Sequence, residues 1–92
     1  MNENNDFEKD LEIFRKEIDN IDDKIIELLD ERGRIAKKIG RLKNRANMEL
    51  YQPQREKYII ERMKNKSVIL NSKSIEAIWR EIMDANKLIQ DQ

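Results

Sequence analysis

Arg32 stands where an apolar residue is due. It falls in IIELLDERGRIAKKIGRLK, Ile25 to Lys43, whose residues Ile25, Leu28, Ile35, Ile39 and Leu42 keep steps of three and four. The step after Leu28 lands on Arg32. Two amides interrupt a second apolar face in the same way. Asn86 and Gln90, one turn apart, continue the stripe of Ile75, Ile78, Trp79, Ile82, Met83 and Ile89. Polar groups on buried faces cost free energy unless something pairs with them. Singly, each has an ordinary explanation: a snorkelling or register-setting arginine, and a frayed last turn reaching water. Spacing points elsewhere. Arg32 and Lys43 are close to three full turns apart, so they face the same way, roughly 16 Å apart along the axis. Two long cationic side chains so placed reach toward each other and hold a small anion between them. Arg15 lies four heptads before Lys43 on the same flank. At roughly 42 Å along a helix, it serves such a site only from an antiparallel second chain.

The chemistry open to this set is narrow. The chain has no His and no Cys, which removes the commonest general base, the thiol nucleophile and the thiolate metal site. No nucleophile–base pair is evident. Two or three cations, an amide and one carboxylate act by positioning and electrostatics, so the expected substrate is a small polyanion.

The elements that must hold these residues are helices. Charged residues make up 41% of the 92 and apolar ones 38%, with two Gly and one Pro, a mix suited to long helices with thin apolar stripes. Nineteen basic and nineteen acidic residues cancel, which disfavours nonspecific nucleic-acid binding. No apolar run approaches the ~20 residues of a membrane span, and the polar, acidic opening MNENNDFEKD is unlike a signal peptide. A cytoplasmic protein is expected. Leu11, Phe14, Ile18, Ile21, Ile25, Leu28, Arg32, Ile35, Ile39 and Leu42 form a heptad seam. This predicts one helix from about Phe7 to Arg45, with residues 1–6 disordered. Gly33 and Gly40 share one face of it, each costing roughly 1 kcal/mol against Ala. They read equally as tolerated surface glycines or as close approach by another helix. Pro53 favours a first helical position and opens a second helix to about Lys64, with Tyr58, Ile59, Ile60 and Met63 as its apolar content. A linker runs from Lys64 to Leu70. Asn71 or Ser72 caps a third helix. The expected fold is all-α, a single domain over 1–92.

That fold cannot cover its own seam. At 1.5 Å per residue the first helix spans roughly 55–60 Å, against a radius of gyration of about 12 Å for a compact chain of this length. An uncovered stripe would be a large exposed apolar patch. A second copy is the simplest cover and C2 the commonest symmetry, so an intertwined homodimer with paired long helices is expected.

The chain resembles the all-helical class of chorismate mutases from about Leu11 to Gln90. The likeness is carried by FRKEIDNIDDKIIELLDERGRIAKKIGRLK, QPQREKYIIERM and IWREIMDANKLIQ, with Arg15, Arg32, Lys43, Arg55-Glu56 and Gln90 in that family's spacing. The resemblance implies conversion of chorismate to prephenate, an intramolecular Claisen rearrangement on the route to phenylalanine and tyrosine. It needs no acid, base, metal or cofactor. It further implies that Arg32, with Arg15 of the partner chain, grips the substrate carboxylates. Lys43 and Gln90 would donate to the ether oxygen, and Glu56 would bind the ring hydroxyl. Arg55 would add positive field, Gln52 and Asn86 polar contacts, and Ile39 and Met83 apolar walls. By themselves Arg55 and Glu56 read as a solvated first-turn pair. Gln52 stands where some relatives carry an acid, and Asn86 where serine is frequent. Two other readings stand beside this one: an isochorismate-pyruvate lyase on the same fold, and a helical dimerisation module without chemistry.

Overall fold

The computed structural model describes residues 3–91. They form three helices, α1 (Glu3–Arg45), α2 (Pro53–Lys66) and α3 (Ser72–Gln90). α1 begins four residues before the expected start, so the segment expected to be disordered is helical from Glu3; Met1 and Asn2 lie outside the described residues. The Asp6 carboxylate, in the first turn, suits the positive end of the helix dipole.

Local chemistry fixes the other boundaries. α1 stops in a Schellman turn. Asn47 adopts the left-handed conformation at φ 56°, which Asn tolerates better than most residues. The Met48 amide then donates to the Lys43 carbonyl at 2.8 Å and the Asn47 amide to the Asn44 carbonyl at 3.3 Å. Pro53 opens α2, and Lys64 and Lys66 occupy its last turn, where cations complement the dipole. α2 runs two residues beyond the expected end. Asn71 caps α3, its side-chain oxygen accepting from the Ser74 amide at 2.8 Å.

The chain divides between Glu31 and Arg32 into two units. In the first, Phe7, Phe14, Ile18, Ile21, Ile25 and Leu28 are all exposed, Ile21 at 53%. In the second, α2 and α3 pack around Ile59, Ile60 and Met83, with Met63 and Trp79 against them. The part of α1 in this unit meets α3 through small residues. Gly33, Ala36 and Gly40 are buried in line, and a Cβ on Gly40 would come within 2.7 Å of the Gln90 carbonyl oxygen. The close-approach reading of these glycines is therefore correct. The seam residues Ile35, Ile39 and Leu42 stay exposed. Among the described residues no helix is long and apolar enough to cross a membrane.

Candidate active site

A cavity of about 450 Å³ opens within the second unit. α1 contributes Arg32, Ile35, Ala36, Ile39 and Lys43, and the connection after its Schellman turn contributes Met48, Leu50 and Gln52. α2 adds Arg55, Glu56 and Ile59 from its first two turns, and α3 adds Met83, Asn86, Lys87 and Gln90. Nine of the ten residues expected at a site thus line one cavity: Arg32, Lys43, Gln90, Glu56, Arg55, Gln52, Asn86, Ile39 and Met83. The tenth, Arg15, is exposed on α1 in the first unit and is not among them.

The arginine in the seam is tied to the amide in the other interrupted stripe. Arg32 donates from Nη1 to Asn86 Oδ1. Burial, and then the like charge of Arg55, lower the Arg32 pKa from its usual value, although a guanidinium stays charged at neutral pH. A cation disfavoured in this way is one that an incoming anion stabilises. One of its five donors serves Asn86, and the others remain for a carboxylate. Lys43 donates to the Leu50 carbonyl at 3.1 Å, holding the connection near the cavity and keeping two further donors. Gln52 donates to the Glu49 carbonyl at 2.8 Å. Arg55 is exposed, its guanidinium 5.2 Å from the centre of the Tyr58 ring. Gln90 Oε1 is buried without a hydrogen-bond partner.

Glu56 departs most from the plain reading of its surroundings. It is only 7% exposed, not a solvated first-turn acid. Arg80 donates to its Oε1 at 2.6 Å and Lys87 Nζ lies 3.0 Å from its Oε2. Neither cation was singled out from the sequence, and neither were Met48, Leu50, Ile35, Ala36 or Ile59. One signal pointed to the cations. Arg80 and Lys87 are seven apart, so they share a face of α3.

Three helices framing a small cavity with apolar walls, several cations along its lining and one buried carboxylate define a helical protein with a pocket whose charge suits a small anion. The chain belongs to the chorismate mutase type II family, whose model it matches over residues 14–91. It is 37% identical over 81 residues to a chorismate mutase of Methanocaldococcus jannaschii, covering 86% of this chain and 82% of that protein. It is 40% identical over 82 residues to a bifunctional chorismate mutase/prephenate dehydratase of Aquifex aeolicus, covering 84% of this chain but only 23% of that protein. The chain thus spans about a quarter of that longer relative. Among solved structures it resembles a chorismate mutase of Thermus thermophilus at TM-score 0.86 and 28% identity, over 89% of this chain and 94% of that one.

Proposed function

We propose that this chain is a chorismate mutase, converting chorismate to prephenate. One observation carries the reading. Arg32 and Gln90, from the two interrupted stripes, meet Lys43 in one cavity with apolar walls and a buried carboxylate. In the rearrangement the ether C–O bond breaks as a C–C bond forms within the same molecule. No proton, electron or group passes to the protein. The residues then have two tasks. The first is to hold the compact conformer in which the reacting carbons approach, which lowers the barrier by several kcal/mol. Arg32 takes one carboxylate, Ile39 and Met83 press on the ring, and Glu56 accepts from the ring hydroxyl. Asn86 orients Arg32, and Gln52 and Arg55 complete the polar rim. The second is to stabilise negative charge growing on the ether oxygen, the role of Lys43 and Gln90. Such a donor is typically worth ~10²–10³ in rate.

The proposal includes an antiparallel homodimer in which Arg15 of the partner grips the second carboxylate. The exposed seam supports it, and so does charge. Residues 3–31 carry twelve acidic and four basic side chains, whereas residues 32–45 carry seven basic and none acidic. Antiparallel pairing lays the acidic half of each α1 along the basic half of the other. A cytoplasmic location is part of the same proposal, tested by fractionating cells that express the protein.

The experiment mixes purified protein with chorismate, follows loss of the diene ultraviolet absorbance and identifies the product. Prephenate formed at a rate proportional to protein is expected. Absence of turnover, with pyruvate released from isochorismate instead, would replace the reading with the lyase.

A further inference from the structure

Glu56 presents a problem to a site that binds a dianion. A buried carboxylate costs free energy unless it is paired, and unpaired it would repel the ligand that the cavity's cations attract. Arg80 and Lys87 answer both difficulties. Each takes one oxygen, at 2.6 and 3.0 Å. A carboxylate offers about four acceptor positions, so acceptor capacity remains for a hydroxyl. Lys87 is itself anchored: its amine lies 3.3 Å from Asp84 and 4.8 Å from the centre of the Tyr51 ring, in the connection that lines the cavity. It thereby joins α3, the first turn of α2 and that connection at one point.

We propose that Arg80 and Lys87 are positioning residues for Glu56, fixing its carboxylate as a hydroxyl acceptor and offsetting its charge toward an anionic ligand. The inference rests on the mutase reading for the identity of that ligand, but the clamp is a property of this chain alone. Lys87 lines the cavity, whereas Arg80 reaches Glu56 from outside its lining. The Lys87 amine is raised above its usual pKa, first by its hydrogen bond to Glu56 and, against the opposing effect of burial, also by Asp84.

A double-mutant cycle on chorismate turnover tests it. Lys87→Met keeps the aliphatic stem and removes the charge. It is expected to lower kcat/KM about tenfold, chiefly through KM, the size of one lost charge-assisted hydrogen bond. Lys87→Arg should restore most of that loss. In a Glu56→Gln background, Lys87→Met should change kcat/KM by less than about twofold, because the group it serves is gone. Losses that multiply in the double variant would overturn the proposal, as would an unchanged kcat/KM in Lys87→Met. A second readout needs no turnover. Lysine side-chain NMR should show the Lys87 amine titrating higher in the wild type than in Glu56→Gln. If the wild type fails to rearrange chorismate, the mutase reading falls and this titration alone decides the clamp. Equal titration in the two proteins would overturn it.

Discussion

Residues 32–45 of α1 carry two lines of side chains with opposite fates. The small line, Gly33, Ala36 and Gly40, is buried, while the large line, Ile35, Ile39 and Leu42, is exposed. Ordinary expectation runs the other way, since large aliphatic residues gain most from leaving water. Small residues are buried here because they let α3 approach backbone to backbone, and that approach carries Gln90 into the cavity. The large residues remain for a second surface, whether a ligand against Ile35 and Ile39 or another chain. Residues 3–31 contain neither Gly nor Ala. Only the large line exists there, and it is exposed from Phe14 to Leu28, with Leu11 half-buried. A helix face written in small residues thus marks packing within this chain, and one written in large residues marks packing the chain alone does not supply.

The largest expected effect falls on the one charge in the large line. Arg32→Leu makes the seam uniformly apolar, and its thermal midpoint should hold or rise, because replacing a partly buried charge with a hydrophobe is often neutral or stabilising. Turnover of chorismate should nevertheless fall by roughly 10²-fold or more, because without its grip on a carboxylate the site no longer holds the reactive conformer. Full activity in this variant would remove Arg32 from the site and leave the seam as packing alone.

This contrast also separates what was legible in the sequence from what was not. Period and capping located all three helices, and the breaks in period located Arg32, Asn86 and Gln90, because a polar residue in an apolar stripe is visible without knowing what it touches. Glu56 was not visible in this way. Its burial depends on Arg80 and Lys87, 24 and 31 positions away on another helix, and an Arg-Glu pair in a first helical turn resembles solvated surface until those partners arrive. Leu50 escaped for a similar reason. Its place follows from the left-handed turn at Asn47 and from Lys43 reaching its carbonyl. Gly33 and Gly40 were legible as a shared face, but their neighbour was not.

A charge placed in the exposed seam comes next. Ile21→Lys should leave the second unit intact, because Ile21 is 53% exposed in the single chain. In a dimer it would bury one unpaired ammonium from each copy, weakening association by at least roughly a hundredfold. Analytical ultracentrifugation across a dilution series reads this directly. Unchanged association would mean that the large line faces water.

The two glycines of the small line sharpen the comparison further. At Gly40 a Cβ meets Gln90 backbone atoms at 2.7 and 2.8 Å, which cannot yield without moving α3; at Gly33 it meets only the mobile tip of Ile89, at 3.1 Å. Gly40→Ala should therefore displace Gln90 and lower kcat by roughly 10–100-fold, since an ångström of misplacement is costly. Gly33→Ala should keep kcat and gain up to about 1 kcal/mol from helix propensity, measured by denaturant unfolding. Equal effects on kcat would mean that α3 does not position Gln90 through this contact.

The smallest effect concerns pH. The folded-state pKa of Lys87 is raised, chiefly by Glu56, so its contribution to stability is fully present below the ordinary lysine value of 10.5 and fades as pH rises through the higher folded value. The thermal midpoint should decline more steeply above that pH in the wild type than in Lys87→Met. Parallel profiles would remove the Lys87 contribution.

In the proposed dimer seam and site are one construction, each cavity being completed by Arg15 from a second chain. Complementation in trans tests it most directly. Arg15→Ala and Arg32→Ala are each prepared alone, and each should be nearly inactive on chorismate. Unfolded and refolded together, they form mixed dimers in which one cavity has both arginines and the other has neither. Random pairing then predicts recovery to about a quarter of wild-type activity. A mixture no more active than the two variants assayed separately would contradict the claim and confine the site to a single chain.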